Sequence, residues 1–489
     1  MKTHIPLLIL IVLLIQCSPP ASEAPPIERY RPLAHFTPQK NWINDPNGLV
    51  YYEGEYHLFY QYNPYGTTWG HMSWGHAVST DLIHWEHLPI ALEEYLDPMT
   101  RDSTMIFSGT AVVDVNNTSG LCQSNDCLIA IYTSNLHRDN EGLRQNQSLA
   151  YSNDKGRTWK RYEKNPILDI QRKDFRDPKV FWYEPQEKWV LALVVPDQFT
   201  VQLYESKNLL KWELMSEFGK VGDTLRIWEC PDLFELPIQG QPGKSKWVLS
   251  LSGGHPAGPT FVGMQYFIGD FDGKNFISDQ TTPLYLDYGK DFYAGIIFNN
   301  VKDRAVMMGW INNWTYANQI PTESWRGAFS LPRELALLET LDGWRLSQQP
   351  VAEYTALRGD KISELNSPNT KSFELELEIS EGSGIQLFKS AREQTTIGYQ
   401  DGELYLDRTK SGRVDFQKDF ASRESVEIKP RTPSIAVRVI VDQSIIELIS
   451  MDGLYSITDQ VFPIQENSSA EIFGTVKVRN AWRLNPIIR

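Results

Sequence analysis

The segment S-T-D-L-I-H-W at residues 79–85 recurs along the chain with the same order of small, polar and aromatic residues. Related segments are S-N-D-K-G-R-T-W at 152–159, S-K-N-L-L-K-W at 206–212 and, more loosely, G-D-F-D-G-K-N-F at 269–276. Each combines turn-forming residues with an aromatic residue that begins a strand. The aromatic residues are 74, 53 and 64 positions apart, a spacing typical of a repeated four-stranded unit.

Short apolar or alternating runs, separated by Gly, Pro, Asn and Asp turns, fill residues 33–338 and show no long amphipathic helix. These runs are Gly48–Tyr60, Thr110–Val115, Leu128–Thr133, Trp189–Val195, Lys246–Ser252 and Ala305–Ile311. About 305 residues at the spacing of the repeat predict a β-propeller of about five blades. The pattern alone leaves a pair of β-sandwiches with coincidental hairpins open.

A second all-β region is predicted at residues 358–489. The segment F-E-L-E-L-E-I at 373–379 alternates strictly between apolar and charged residues. This pattern predicts a β-strand with one buried face and one solvent-exposed face. Runs at 435–441, 445–449 and 476–483 predict further strands of a β-sandwich. Residues 339–357 are interpreted as a linker that is apolar enough to pack on both domains. The expected fold is therefore all-β, a five-bladed propeller followed by a C-terminal β-sandwich.

Composition excludes some classes of function. The chain of 489 residues has 47 basic and 61 acidic residues, a formal charge of −14, which argues against a nucleic-acid partner. Its 15 Trp, 22 Tyr and 21 Phe suit either sheet packing or a carbohydrate site. Four histidines lie close together in the sequence: His71, His76, His84 and His87. No cysteine or acidic residue stands near them at the spacing typical of zinc ligands, so they are interpreted as hydrogen-bonding residues of a blade.

The first residues resemble a bacterial export signal. Lys2 precedes the apolar run Ile5–Ile15, whose eleven residues are too few to span a membrane, and Cys17 follows it. The sequence around Cys17 is similar to a lipoprotein box, although Gln16 stands where Gly, Ala or Ser is usual. We expect a lipoprotein-type signal at 1–17, a Pro-rich spacer at 18–32, and a lipid on Cys17 as the sole membrane attachment, in the bacterial cell envelope. Ordinary cleavage and secretion is the alternative.

Three further cysteines follow the signal region: Cys122, Cys127 and Cys230. Export permits disulfides, and Cys122 and Cys127 flank a polar loop that a disulfide would close. The sequence leaves this pairing open. Three cysteines cannot hold a domain of this size, so the fold is expected to depend on its hydrophobic core.

Asp45 is the first candidate for chemistry. It lies in W-I-N-D-P-N-G at residues 42–48, where Pro46 favours an extended backbone for the residue before it. The same segment is also good turn chemistry, so this motif alone does not distinguish a reactive carboxylate from an Asx turn.

Two more carboxylates precede prolines closely in the sequence. In R-D-P at 176–178, the guanidinium of Arg176 is expected to keep Asp177 ionised. In W-E-C-P at 228–231, Glu229 lies between Trp and Cys, the apolar setting of a proton donor, although a buried glutamate paired with Arg226 is the alternative. Strands of different blades meet at a propeller axis, so these carboxylates predict one shared site, suited to glycoside hydrolysis.

The ordered set W-I-N-D-P-N-G, F-S-G-T (107–110), R-D-P and W-E-C-P resembles the motif set of glycoside hydrolase family 32, the β-fructosidases that include invertases, inulinases and levanases. Other similar segments are Y-Q-Y-N-P at 60–64, W-G-H-M-S-W-G-H at 69–76, D-F-Y-A at 291–294 and N-N-W-T-Y-A at 312–317. The segment W-R-G-A-F-S-L-P-R-E-L at 325–335 looks most like levanases and exo-inulinases. The family fold, a five-bladed propeller followed by a β-sandwich, agrees with the pattern of the chain.

The resemblance implies a role for each matching residue. Asp45 would be the nucleophile, Glu229 the acid/base, and Asp177 the stabiliser of the transition state. The substrate-binding residues would be Asn44, Gln61, Trp69, Phe107, Ser108, Arg176 and Trp314. The implied reaction releases terminal fructose from levan- or inulin-type fructans and from sucrose by double displacement with retention, without a metal or organic cofactor.

Three alternatives remain beside a fructan-degrading exo-enzyme. One is an invertase that prefers sucrose. Another is a fructan-binding propeller without catalysis, which the presence of both Asp45 and Glu229 disfavours. The last is a five-bladed furanosidase acting on arabinan, from which the motifs at 42–48 and 228–231 point away. The sequence predicts a fructan or sucrose as the partner and gives no oligomeric state.

Overall fold

The computed structural model describes residues 28–96, 102–138, 141–255, 257–258, 261–365, 370–464 and 469–487. Helix within these ranges consists of short 3₁₀ segments at Glu184–Gln186, Pro196–Gln198, Ala317–Gln319 and Ala352–Leu357. In this part of the chain no helix has the length and apolar character needed to cross a membrane. Cys17, the expected signal at 1–17 and most of the spacer lie outside the described residues.

Five sheets follow one another from Asn41 to Pro350. Blade 1 contains β1 (Asn41–Tyr52), β2 (Glu55–Asn63), β3 (Ser73–Ser79) and β4 (Glu86–Leu92). Blade 2 contains β5 (Tyr95–Leu96), β6 (Ser103–Val113), β7 (Leu128–Arg138), β8 (Glu141–Ser152), β9 (Lys160–Arg161) and β10 (Leu168–Arg172). Blade 3 contains β11 (Arg176–Tyr183), β12 (Lys188–Val195), β13 (Thr200–Ser206) and β14 (Glu213–Gly219).

Blade 4 contains β15 (Glu229–Pro237), β16 (Ser245–Ser252), β17 (Met264–Phe271), β18 (Phe276–Ile277) and β19 (Leu284–Tyr285). After β20 (Tyr293–Ile297) and β21 (Ala305–Ile311), β22 (Trp325–Arg326) pairs in parallel with β1 and joins the last blade to the first. Blade 5 is completed by β23 (Ala328–Phe329), β24 (Arg333–Thr340) and β25 (Gly343–Pro350). The predicted five-bladed propeller is confirmed, which excludes a pair of sandwiches.

The repeated segment is a turn between consecutive strands of a blade, namely β3 and β4, β8 and β9, and β13 and β14. In the first copy, Asp81 Oδ1 accepts a hydrogen bond from the Ser79 hydroxyl at 3.0 Å. The indole N–H of Trp85 donates to the backbone carbonyl three residues earlier at 3.1 Å. The copies that end at Trp159 and Trp212 repeat both contacts. The same local chemistry therefore reverses the chain in blades 1 to 3.

The blades bury both faces of their central strands against neighbouring blades. In β12 all eight residues are buried, which explains why its sequence is a continuous apolar run and does not alternate. The predicted strand Gly48–Tyr60 differs from the structure, because it is two strands joined by a turn at Glu53 and Gly54. Both residues have a positive φ, of 46° and 89°, as a two-residue hairpin turn requires.

Residues beyond the propeller form two packed sheets. Their strands are β26 (Arg358–Lys361), β27 (Ser372–Ser380), β28 (Ser383–Leu387), β29 (Gln394–Gln400), β30 (Glu403–Lys410), β31 (Arg423–Glu427), β32 (Ser434–Asp442), β33 (Ile445–Ser450), β34 (Ser456–Gln460), β35 (Ala470–Phe473) and β36 (Val476–Leu484). One sheet has the order β26-β36-β27-β32-β33-β34 and the other β31-β30-β29-β28-β35. Apolar side chains from both sheets share one core, as in the predicted β-sandwich.

The boundary between the domains differs from the expected linker at 339–357. Residues Gly343–Pro350 pair with β24 along their whole length and form the outermost strand of blade 5. This leaves 351–357 between the domains. Val351, Tyr354 and Leu357 are buried in a cluster that contains residues of both domains. The connection that contacts both domains is therefore this shorter segment, residues 351–357.

Buried charges join the propeller to the sandwich. His35, ahead of the first blade, lies between Asp442 Oδ2 at 2.8 Å and Glu447 Oε1 at 2.9 Å. Asp442 also accepts the backbone N–H groups of residues 33, 34 and 35. From the last blade, Arg333 donates to Glu447 at 2.9 Å through Nε and to Asp287 at 3.1 Å. Since these side chains are buried in ion pairs, the two domains form one packed unit.

Cys122 and Cys127 form a disulfide that closes the loop between β6 and β7, with Cα atoms 5.3 Å apart. Cys230 is a buried free thiol. The four histidines considered in the sequence make separate hydrogen bonds, which are His71–Glu94 (2.7 Å), His84–Asp81 (2.7 Å), His76–His57 (3.1 Å) and His87–Tyr60 (3.4 Å).

Candidate active site

The inner strand of every blade contains one extra residue at the same level of the propeller. In β11, Arg176 pairs with Val194 and Lys179 with Ala192, so three steps on the inner strand match two on its partner. The same shift occurs in the other inner strands, at 43/46, 106/109, 229/232 and 293/296. A β-bulge re-aims side chains and often lies beside an active site. Five bulges thus present successive side chains at one end of the axis.

Aligning the five bulges shows which residues occupy equivalent places. The paired residue before the bulge is Ile43, Ile106, Arg176, Glu229 or Tyr293, and the next two are Asn44-Asp45, Phe107-Ser108, Asp177-Pro178, Cys230-Pro231 and Ala294-Gly295. Asp177, Cys230 and Ala294 share a left-handed backbone, with φ of 61°, 46° and 53°. Such conformations cost energy in residues other than glycine and cluster at functional sites.

A pocket of about 380 Å³ opens at these bulges. The ten residues predicted from the sequence all line it, namely Asn44, Asp45, Gln61, Trp69, Phe107, Ser108, Arg176, Asp177, Glu229 and Trp314. Five further lining residues were not singled out as site residues, namely Gln145, Asp174, Arg226, Ile227 and Tyr293. The residues gathered at the pocket come from all five blades.

Polar side chains fill the axis beneath the pocket. Lys179 Nζ lies 3.1 Å from Asp232 Oδ2 and donates to the backbone carbonyl of Ile297 at 2.6 Å. Further along, Asn299 Nδ2 donates to Thr110 Oγ1 at 3.1 Å and to backbone carbonyls of blades 2 and 3. A ligand therefore enters the pocket from one end of the propeller.

Both oxygens of Asp45 are held by hydrogen bonds. Oδ1 accepts from the side-chain amide of Asn44 at 3.0 Å and Oδ2 from the Ser108 hydroxyl at 2.7 Å. Asn44 is itself fixed, since its Oδ1 accepts the indole N–H of Trp42 at 2.8 Å. The thiol of Cys230 lies 3.5 Å from Asp45 Oδ2. Neighbours from blades 2 and 4 thus set the orientation of this carboxylate.

Glu229 is oriented by two side chains at equivalent bulge positions. Arg176 Nη2 donates to Oε1 at 3.1 Å, and the Tyr293 hydroxyl donates to Oε2 at 2.7 Å. Three adjacent blades therefore contribute a guanidinium, a carboxyl and a phenol to one hydrogen-bonded row. The row leaves Glu229 half-buried at the pocket surface, where it can reach a bound molecule.

Asp177 accepts the backbone N–H of Cys230 at 3.0 Å. Burial raises the pKa of Asp177 to about 7, and the nearby Arg176 opposes this rise without cancelling it. The expectation that Arg176 keeps Asp177 ionised is therefore not met. Arg176 Nε is 3.8 Å from Asp177, while its terminal nitrogens bond Glu229 and, at 2.9 Å, Asp174.

The carboxyl groups influence one another. Burial and the charge of Glu229 raise the pKa of Asp45. Like-charged groups in one low-dielectric site disfavour full ionisation of all of them. Simultaneous ionisation of all the carboxyls is therefore disfavoured in this pocket, which suits a site that combines a proton donor with a carboxylate nucleophile.

Aromatic side chains form the upper wall. Trp69 is 42% exposed, and its ring meets that of Phe107 edge to face at a centroid distance of 6.1 Å. Trp314 packs against Trp42 and Trp310, with ring centroids 6.0 and 4.8 Å apart. Flat rings beside hydrogen-bonding groups suit a ligand with apolar faces and many hydroxyls, as sugars have.

Tyr293 is a pocket residue that residue-type reasoning missed. It belongs to D-F-Y-A at 291–294, where a tyrosine in a strand looks like an ordinary packing residue. Its place becomes clear when the inner strands are aligned at their bulges, because it then falls in line with Arg176 and Glu229.

Comparisons with known proteins cover most of the chain. A family model described as "Glycosyl hydrolases family 32 N-terminal domain" matches residues 35–350, and "Glycosyl hydrolases family 32 C terminal" matches 344–482. A levanase of Bacillus subtilis (strain 168) is 44% identical over 485 residues, which cover 93% of this chain and 70% of the levanase. An extracellular exo-inulinase of Aspergillus niger is 39% identical over 502 residues, covering 91% and 92%. The crystal structure of exo-inulinase from Aspergillus awamori superposes with a TM-score of 0.85 at 35% identity, covering 94% and 99%.

Proposed function

Because the chain belongs to glycoside hydrolase family 32, we propose that it is a β-fructosidase that removes terminal fructose from fructans with retention of configuration. The observation that carries this proposal is the meeting of Asp45, Asp177 and Glu229, from three different blades, in one pocket. Similarity to a levanase and to exo-inulinases supports a fructan as the substrate.

In the first displacement, the protonated carboxyl of Glu229 gives its proton to the glycosidic oxygen as the bond from that oxygen to C2 of fructose breaks. A carboxylate oxygen of Asp45 forms a bond to C2 from the opposite side, which yields a fructosyl ester and frees the alcohol. The hydrogen bonds from Asn44 and Ser108 hold Asp45 in place for this attack.

In the second displacement, the Glu229 carboxylate takes a proton from water, and the water oxygen attacks C2. The ester bond breaks, Asp45 leaves as a carboxylate, and two inversions give net retention. Arg176 and Tyr293 keep Glu229 in one place during both of its roles. Asp177 forms hydrogen bonds with fructose hydroxyls and stabilises the transition state through them.

The shape of the site supports an exo mode of attack. The axis below the pocket is filled, and Trp69 and Trp314 line its upper wall. A volume of about 380 Å³ lies near the lower end of the 300–1,000 Å³ typical of ligand pockets, which suits one or two sugar units. We therefore expect one terminal fructose to enter at a time.

Product analysis tests the substrate and the mode together. Purified protein is incubated with levan, inulin, sucrose and, as a control polymer, arabinan, and products are separated by size during the first minutes. Free fructose from levan or inulin, with no oligosaccharide ladder, is expected. A ladder would refute the exo mode, turnover of sucrose alone would favour an invertase, and no hydrolysis of any fructoside would refute the proposed function.

We also propose export with a lipid on Cys17. The proposal rests on the order of Lys2, Ile5–Ile15 and Cys17, and a disulfide at Cys122–Cys127 is compatible with an oxidising compartment. A Cys17→Ser variant should move active enzyme from the membrane fraction to the soluble fraction. Wild-type enzyme already soluble, with a mature N-terminus elsewhere than residue 17, would refute the anchor.

A further inference from the structure

One segment outside the blade strands supports both tryptophans of the pocket wall. Residues 312–319 contain Trp314 itself, and Asn318 Oδ1 accepts the backbone N–H of Trp69 at 3.0 Å. The segment leaves β21 and ends before β22. The position of the aromatic wall therefore depends on whatever holds this segment.

Tyr316 is the buried anchor of that segment. Its hydroxyl donates a short hydrogen bond to Asp291 and accepts one from Arg408 Nη2 at 2.8 Å. Arg408 belongs to β30 of the sandwich, 92 residues further along the chain than Tyr316. A sandwich residue thus reaches the loop that lines the substrate pocket.

Arg408 is fixed at several points. Its Nη1 donates to Asp291 Oδ2 at 2.5 Å and to the backbone carbonyl of Gln460 at 3.0 Å, and Asp459 Oδ1 lies 3.7 Å away. The guanidinium stacks over the ring of Phe420 at 4.2 Å. A planar donor fork held this way has one orientation, and a shorter lysine cannot reproduce it.

Other sandwich residues complete the support. Phe420 meets the ring of Tyr316 edge to face, with centroids 5.2 Å apart. Gln417 Nε2 donates to the backbone carbonyl of Thr315 at 3.5 Å. The underside of the segment therefore rests on the second domain, while its upper side faces the pocket through Trp314.

We propose that Arg408 of the β-sandwich is a positioning residue for the sugar-binding wall, acting through Tyr316 on Trp314 and, through Asn318, on Trp69. The inference rests on the proposed function, since it concerns the same pocket. It assigns the sandwich a part in substrate affinity. The carboxylates Asp45 and Glu229 are held by other residues, so the chemical step is expected to be independent of Arg408.

Tyr316→Phe is the mildest test, because it removes only the hydroxyl. We expect KM for sucrose or a short fructan to rise about fivefold to tenfold with kcat within about twofold, since remote binding contacts are lost while the reacting groups stay in place. Arg408→Lys should move KM in the same direction. In the double variant Tyr316→Phe/Arg408→Lys the effects on KM should be less than additive, because the two substitutions break the same hydrogen bond.

Matched controls separate positioning from stability. Tyr354→Phe is the same change at another buried tyrosine of the domain interface, whose hydroxyl has no hydrogen-bond partner in the described structure. Arg333→Lys alters another fully buried arginine that pairs with sandwich carboxylates. Arg333→Lys should lower the melting temperature about as much as Arg408→Lys, and both controls should leave KM unchanged.

Three results would overturn the inference. They are an unchanged KM in Tyr316→Phe, an equal rise of KM in the controls, or a fall in kcat with a shifted pH profile in Tyr316→Phe. Titration with fructose, followed by the quenching of tryptophan fluorescence, gives a second measure of affinity. The affinity for fructose should fall in the variants whose KM rises. Hydrolysis by the wild type tests the proposed function separately, so failure of either idea is recognisable.

Discussion

The guanidinium of Arg176 donates to Oε1 of Glu229 in the next blade at 3.1 Å and lies further, at 3.8 Å, from its own neighbour Asp177. This hydrogen bond from blade 3 orients Glu229, the proposed acid/base, in blade 4. It also leaves Asp177 with a buried carboxyl whose charge is poorly compensated, which raises its pKa. One arginine thus interacts differently with two carboxyl groups that both precede a proline in the sequence.

Glu229→Gln should lose activity selectively. On sucrose, where the leaving group needs a proton, we expect kcat to fall by roughly three powers of ten. On an aryl fructofuranoside with a good leaving group the first step needs little help, so the loss should be smaller, and added azide should restore turnover. Steady-state rates on both substrates check this. An equal loss on both, without azide rescue, would contradict the assigned role.

Asp45→Asn should keep the fold, since asparagine suits the same turn, and lose nearly all hydrolysis. The expected fall in kcat exceeds about a hundredfold, because removing a nucleophile normally costs several powers of ten. Asp154→Asn is a matched control in the turn of blade 2, far from the pocket lining, and should be fully active. Residual activity above about one hundredth of wild type would reject Asp45 as nucleophile.

Asp177→Asn should abolish activity and stabilise the protein. The folded-state pKa of about 7 lies above the ordinary value of 3.8, so the carboxyl lowers stability progressively as pH rises from about 4 to about 7. The neutral amide removes this penalty. The melting temperature of the variant should exceed that of wild type at about pH 8 and match it near pH 4. A lower melting temperature at both pH values would show that the raised pKa is not the dominant effect.

His35→Gln should weaken the domain interface below neutral pH. Burial lowers the pKa of His35, but hydrogen bonds to Asp442 and Glu447 outweigh it and raise the pKa from 6.5 to about 9. The stabilisation, roughly 3 kcal/mol, is complete below about pH 6.5 and lost as pH rises through about 9. Denaturant unfolding should show a large difference between variant and wild type at about pH 6 and a small one at about pH 10. The exposed His84→Gln serves as control, and a difference independent of pH would contradict the prediction.

Much of the fold could be predicted from the sequence, because the turns and apolar runs that define its strands are local patterns. The repeated turn at 79–85 and its copies mark where one strand of a blade ends and the next begins. Continuous apolar runs such as Trp189–Val195 mark strands buried on both faces. The outermost strand Gly343–Pro350 was missed, because its first three residues are exposed or half-buried and its alternation is weak. Edge strands carry little pattern of their own.

The candidate site was predictable where a carboxylate stands in a distinctive local motif, as Asp45 does in W-I-N-D-P-N-G and Glu229 in W-E-C-P. It was not predictable where the result depends on a bulge, because one extra residue in β11 changes which neighbour Arg176 reaches. The same reason hid Tyr293. The contact of Arg408 with Tyr316 joins two domains, and no local pattern records a contact between residues that lie so far apart in the chain.

The hydrogen bonds from the backbone N–H groups of residues 33–35 to Asp442 constrain the order of folding. His35 and Asp442 are 407 residues apart, and at about 5–20 residues per second synthesis of that interval takes on the order of tens of seconds. Throughout that time the N–H groups at residues 33–35 lack the carboxylate that accepts them in the folded protein. The propeller thus cannot reach its final state on the ribosome before the sandwich strands emerge, and a chain cut at residue 350 would leave His35 permanently without its partners.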